Sequence, residues 1–478
     1  MAQAVFISVA VLAAAFFIWR KTADPLAVAF GACIVYFTPG FLGIAQFSYG
    51  RGLEYYSEPI APAAYLTMTI VLAVLAATTA AVDLVPVGAR AGFSFDRKIA
   101  MVLLGLMTVF TALSIRNTNV YFLCLDKAIV LSKLDPWYYR ASLSAPFLFA
   151  IAWALRWRTV ALAGAVFLFA DLYAGFRPGV AVAFIACLML MEDWLRRGWR
   201  YLAAFAAIML VGGAVLFMVK HLIEPAKNAT ASYCDAQLAL DEKPAPAADQ
   251  AASPAVAPKA DKSASQPRVA GSTNQPNADK APPPPRRSAG EALSTAASNM
   301  MYSRFYVSSF VGQSEAFVIQ SILNEVVRKD FHTGAAYLVG QILTALPLGE
   351  SVFGIDNTKV ATFNSMVQPV LFPSLNFGLA NNPWAQAYAA GGQWMVAVFA
   401  IGYALLAGIL NLVFRCTKGA LQAGIAVLCV WTGFYFHRND LFIEAVLIKH
   451  VVYLFAASVA IAWIWNRIRP AVERAPSG

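Results

Sequence analysis

The chain has 478 residues, 59% of them hydrophobic and 13% charged, with a formal net charge of +10 and a mean hydropathy of +0.61. A soluble protein carries roughly a quarter charged residues, so a soluble globular fold is excluded and an integral membrane protein is expected. The basic excess does not imply nucleic acid: many basic residues fall in short clusters at the ends of apolar runs, the rest are scattered over the opposite face and one long loop, and no basic stripe with interleaved aromatics appears.

In chain order, apolar runs long enough to span, or nearly so, occur at 2–19, 25–47, 59–82, 99–115, 141–155, 159–175, 179–192, 201–219, 393–414, 419–436 and 441–465. The first has no basic residues before it and Arg20 and Lys21 after it, which is a span and not a cleavable signal. The fold class expected is an all-α polytopic membrane protein of about eleven transmembrane helices with one large external loop. Orientation follows from basic residues in short loops. One side holds fifteen, among them Arg90, Arg97, Arg156, Arg158, Arg415 and Arg467. The other holds seven: Arg51, Arg116, Lys127, Lys133, Arg140, Arg177 and Arg438. The first side is therefore expected to be cytoplasmic, with the N-terminus outside and the C-terminus inside.

This organisation divides the chain into a first bundle (1–220), a tether (221–299), an external helical loop (300–392) and the last three spans with a short tail (393–478). No Phe, Trp or Tyr lies between Tyr233 and Tyr302, and residues 244–285 hold ten prolines. That composition buries too little apolar surface to offset its chain entropy and predicts disorder. From Phe317 to Lys329, apolar pairs alternate with polar pairs at close to four residues, which predicts an amphipathic helix at the membrane surface or the mouth of the bundle. Residues 335–346 are apolar but too short to span, which predicts a second interfacial or re-entrant segment.

The candidate chemistry lies on the external side. Arg177 sits in a tight hairpin with Gly175, Pro178 and Gly179. It either snorkels to the headgroups or offers a fixed guanidinium to a phosphate, and the rigid turn favours the second. Arg304, between Tyr302 and Tyr306, is either an interfacial anchor or a phosphate contact with two stacking surfaces. His437-Arg438-Asn439-Asp440 forms the whole turn between the last two spans, with Glu444, Lys449 and His450 beyond it. Ionisable groups at that depth either brace the bundle as ion pairs or face a polar cavity. Glu444 and Lys449 are wrongly spaced to pair on one helix face, so each is expected to find its partner on another helix. His332 and Glu315 are the remaining external titratable groups in aromatic settings, and His332 is of a type suited to general base work near neutrality.

None of the six cysteines forms a CxxC or Cys/His cluster, so a metal or redox centre has no support. Cys124 and Cys234 both fall on the external side in this topology, and nothing in their spacing requires a disulfide. No DxD, HExxH, GxSxG or P-loop is present.

The layout resembles the bacterial oligosaccharide repeat-unit polymerases (Wzy-type O-antigen polymerases): many spans, a Gly-x-Arg tip in mid-chain, and a large external loop before the last three spans. The loop text is similar too, with Ser303-Arg304, Phe331-His-Thr-Gly-Ala-Ala-Tyr337-Leu, Leu346-Pro347, and Asn382-Pro-Trp-Ala-Gln386-Ala-Tyr388 before Gly391-Gly392. Two departures stand out: Gln386 replaces a usual glutamate, and the insert at about 235–299 is not typical.

The resemblance implies a GT-C-like membrane glycosyltransferase, in the bacterial inner membrane, with its N-terminus and large loop periplasmic and its C-terminus cytoplasmic. It would polymerise undecaprenyl-diphosphate-linked repeat units into O-antigen or another surface polysaccharide. Arg177, Arg304 and Arg438 would hold diphosphate, and Tyr302, Tyr306, Tyr337 and Gln386 would contact substrate. The proton acceptor would come from His332, Glu315, His437 or Glu444. No metal or other cofactor is expected, and the partners expected are the lipid-linked glycans, the bilayer and a chain-length regulator. An O-antigen ligase shares this plan. A secondary transporter or flippase using Glu444, Lys449 and His450 is the alternative from another class, against which stand the missing internal repeat and the single large loop.

Overall fold

The computed structural model describes residues 1–42, 47–49, 54–56, 59–118, 133–174, 178–191, 315–344, 361–372 and 381–473. These are almost entirely helical, with one antiparallel ribbon of β1 (Phe47–Tyr49) and β2 (Glu54–Tyr56). The helices are α1 (Ala2–Arg20), α2 (Pro25–Phe41), α3 (Pro62–Asp83), α4 (Asp96–Thr118), α5 (Pro136–Ala154), α6 (Arg158–Ala174) and α7 (Pro178–Met189). After the segment outside the described residues come α8 (Glu315–Arg328), α9 (Ala335–Leu343), α10 (Phe363–Leu371), α11 (Pro383–Arg415), α12 (Gly419–Gly433) and α13 (Leu441–Glu473). Among the described residues, six helical stretches are long and apolar enough to cross a membrane: α1, α3, α4, α11, Gly419–Arg438 and Leu441–Ile468. The chain is a helical membrane protein. Every expected span coincides with a helix except 201–219, which lies outside the described residues, as do Cys124, Cys234 and the whole tether.

Two apolar cores hold the bundle. The first gathers α1, α2 and α3 with α8, α9, α10 and most of α11; the second gathers α4 to α7 with α12 and α13, and Phe434 packs against both. The helix ends collect on two opposite faces. On one, Arg20 closes α1 and bonds Asp24, the N-cap of α2, at 2.7 Å, and also Asp83 at the end of α3. Arg415 at the end of α11 reaches the same Asp83 at 3.5 Å. Ala91 bridges the α11–α12 loop through Cys416 O and Lys418 N. On the other face, Gln3 donates to Phe41 O, Asn117 to Asp135, and the Tyr138 and Ser142 hydroxyls to the buried Asp171 carboxylate at 2.7 and 2.8 Å. This second face also carries the turn at His437.

The loop helices sit differently from expectation. α8 forms where the four-residue pattern places it, but both of its faces are covered: Ile319 to Val327 are all buried, including Gln320, Asn324 and Glu325. The polar groups are met inside the protein. Asn324 accepts the Ala61 N–H at 2.8 Å and donates to Pro59 O, while Glu325 pairs with Arg328 and Lys329. Asn324 thus ties the polar stripe to the start of α3, while Glu325 is met by the last turn of its own helix. α9 packs on α11 and α13 through the buried Leu338 and Gln341 and leaves Val339 and Ile342 exposed.

α11 is two helical pieces joined at a break at Gly391 and Gly392: the second piece starts where the span at 393–414 is expected, and a further helical piece from Pro383 precedes it. Gly392 has φ 65° and ψ −154°, a region closed to side-chain-bearing residues. The break frees carbonyls, and Thr333 donates its N–H to Ala389 O at 2.9 Å.

Close helix approach also depends on Gly424 in α12, where an added Cβ would meet the Phe455 ring at 2.0 Å. That ring is already stacked on Phe147 at 5.2 Å. Gly424→Val should therefore cost about 2 kcal/mol in detergent unfolding. Gly402→Val, with open space around its Cβ position, should stay within about 0.5 kcal/mol.

Candidate functional site

The turn between α12 and α13 is a short 3-10 segment, Tyr435–Arg438. In such a turn residues three apart eclipse one another, so Tyr435 and Arg438 share one side, and the guanidinium lies 4.6 Å over the Tyr435 ring. Phe436 and His437 face the core. Phe436 stacks on Tyr403 at 4.3 Å, and His437 is fully buried.

The His437 ring is held on every polar edge. The Trp384 indole donates to Nδ1 at 3.0 Å. An indole N–H is only a donor, so Nδ1 accepts and the hydrogen sits on Nε2. The ring also meets the Ala29 backbone, and Nε2 lies 3.5 Å from both the Tyr403 hydroxyl and Cys33 Sγ. The ring has no lone pair left for a substrate proton and works as a brace between α2, α11 and α12.

Beyond the turn, Asp440 serves two helix starts. Its Oδ1 accepts the Phe442 N–H at 2.8 Å in α13, and its Oδ2 accepts the Phe363 N–H at the start of α10. Asn364 and Ile443 N–H groups also reach it. A carboxylate there complements both helix dipoles. Burial nevertheless pushes the Asp440 carboxyl above its ordinary range, against those backbone bonds, and burial together with Asp440 raises Tyr337. Gln386 is fully buried and accepts the Leu441 N–H at 2.8 Å, while Tyr337 donates to Ala361 O at 2.9 Å. Glu444 is buried and its Oε2 accepts from Asn439 at 2.7 Å. The expected partner on another helix is thus replaced by a residue of its own turn.

The fold therefore brings His437, Arg438, Glu444, Gln386 and Tyr337 to one end of the bundle, but mostly as structural braces. His332 is apart, on the exposed loop between α8 and α9, with Nε2 3.0 Å from Asp330. Glu315 opens α8, and its side chain lies outside the described residues, as do Arg177, Arg304, Tyr302 and Tyr306.

Next to the braced turn is a cavity of about 480 Å3. α5 contributes Pro136, Tyr139, Arg140 and Leu143; α13 contributes Ile443, Val446, Leu447 and His450; both sets follow the spacing of a single helix face. Trp431, Tyr435 and Asn439 close one side, and Pro178 and Gly179, which directly follow Arg177 in sequence, close another. Arg140 stacks over Trp137 at 4.1 Å. The lining is mainly apolar, with Arg140, Ser142, Asn439 and His450 as polar points, and Arg438 lies behind Tyr435. A second cavity, about 620 Å3, lies at the Arg20 end beside Arg156 and Arg158, on the face where basic residues are already expected. The Arg140 and His450 stripes were readable as helix-face repeats; their meeting at one cavity was not.

No protein-family model, curated protein or solved structure matches the chain.

Asp440→Ala should lower stability by about 2 kcal/mol, since two helix starts lose a capping acceptor. An acid whose folded pKa is raised stabilises below its unfolded pKa and loses that contribution as pH climbs through the folded value. The advantage of wild type over Asp440→Asn should accordingly shrink as pH rises above the ordinary aspartate range, measured by unfolding in detergent across pH.

Proposed function

We propose that this protein is a membrane glycosyltransferase that polymerises undecaprenyl-diphosphate-linked oligosaccharide repeat units at the outer face of the bacterial inner membrane, for O-antigen or another surface polysaccharide. In this reading the chain has eleven spans in a GT-C-like arrangement, and the His437 end is periplasmic. The observation that carries it is the cavity between α5, α7 and α13, whose walls combine two apolar helix faces with Arg140 at the rim and Arg438 behind Tyr435. Apolar walls suit an isoprenoid chain. Fixed guanidinium groups suit the diphosphate that leaves, where preorganised charge lowers the barrier.

The same reading assigns Arg177 and Arg304 to diphosphate, Tyr302 and Tyr306 to sugar stacking, and a chain-length regulator as partner. Tyr337 and Gln386 support the site through the start of α13 rather than by touching substrate. His437 and Glu444 hold the turn in shape.

The purified protein in lipid nanodiscs, given lipid-linked repeat units alone, should yield a ladder of chain lengths. Product that appears only after a lipid A core acceptor is added would make it a ligase, and no product under either condition would sink the transferase reading. Arg140→Ala and Arg438→Ala should each lower kcat by about 10²–10³-fold with normal protein levels, measured by ladder formation over time.

A further inference from the structure

We propose that His450 is the group that accepts the proton of the attacking sugar hydroxyl, an assignment that rests on the transferase reading. Its Nδ1 lies 2.7 Å from Val446 O one turn back in α13. A carbonyl only accepts, so Nδ1 carries the hydrogen and Nε2 keeps its lone pair. No hydrogen bond engages Nε2 among the described residues, and the side chain is exposed where it lines the cavity. This is the arrangement a general base needs: the tautomer is fixed by the protein and Nε2 is left unbonded on a residue that lines the cavity.

Among the described residues, the two other histidines are differently committed. His437 gives its lone pair to Trp384 and is fully buried. His332 sits on the α8–α9 loop beside Asp330 and does not line the cavity. His450 also lies about 13 Å along α13 from its start, at a depth where an ionisable side chain is costly unless it has a task. The titratable or charged groups lining the cavity with it are Tyr139 and Arg140 from α5 and Tyr435 from the turn. Lys449 is its neighbour on α13, and α7 and α12 contribute none.

The step balances as follows. The acceptor hydroxyl oxygen forms a bond to the anomeric carbon of the donor while its proton passes to His450 Nε2. The bond from that carbon to the diphosphate oxygen breaks, and the diphosphate leaves with the electron pair, its charge met by Arg140 and Arg438. The imidazolium then returns its proton to water.

The test uses full-length protein in nanodiscs with lipid-linked repeat units. His450→Gln should reduce kcat by about 10²–10⁴-fold, leave KM within about threefold, and remove the acid limb of the kcat–pH profile. Added imidazole should restore part of the activity of His450→Ala, which a purely structural role would not allow. A wild-type ladder with unchanged rate and pH profile in His450→Gln overturns this assignment alone. So does loss of activity accompanied by a lowered melting temperature and no response to imidazole. No ladder from wild type overturns the transferase reading and this assignment with it.

Discussion

The hydrogen bond from the Trp384 indole to His437 Nδ1 joins two parts of the chain that have little else in common: a helix that breaks in mid-course and a turn of four residues. Around it the local backbone is tied down in sequence. Asn381 donates its N–H to Arg438 O, Asn382 caps α11 and donates to Ile319 O at 2.7 Å, and Gln386 and Asp440 hold the first N–H groups of α13. At membrane depth, water is not available to satisfy these groups, so leaving one unmet costs several kcal/mol. The irregular backbone is therefore confined to places where buried amide and carboxylate side chains can meet it.

That rigidity has a direct effect on the cavity. Tyr435 and Arg438 occupy the opposite side of the same turn, so their positions are set by what Phe436 and His437 do in the core. Asn439, in the cavity wall, is held by Glu444 from behind. Preorganised polar groups need little rearrangement when charge develops, and here the bracing comes from buried residues that need not touch any ligand. Two of the residues that look most reactive in the sequence, His437 and Glu444, serve in this supporting layer.

Helix positions were legible because lipid demands long apolar runs, and a run such as Ala2–Arg20 admits few alternatives. The glycine pair at 391–392 likewise marks the break in α11. The fate of α8 was not legible. Its alternation is the same whether the polar stripe faces water or faces Pro59 and Ala61, since periodicity reports two faces and not what covers them. The site was partly legible for the same reason. Arg438 and its turn were visible as consecutive polar residues, whereas Arg140 and His450 each read as a single polar residue on an apolar helix. Only the packing of α5 against α13 and α7 makes them neighbours.

The burial of α8 also has a bearing on how the protein is made. Ile319, Leu323 and Val326 fill the same core as α2 and α3, yet 231 residues separate Asp83 from Glu315. At translation rates of about 5–20 residues per second, the first core waits roughly tens of seconds in the membrane before α8 emerges, and longer for α10 and α11. Until then α2 and α3 present an unfilled face, and the Ala61 N–H and Pro59 carbonyl lack Asn324. The interval is a natural point for an insertion factor to shield the nascent bundle.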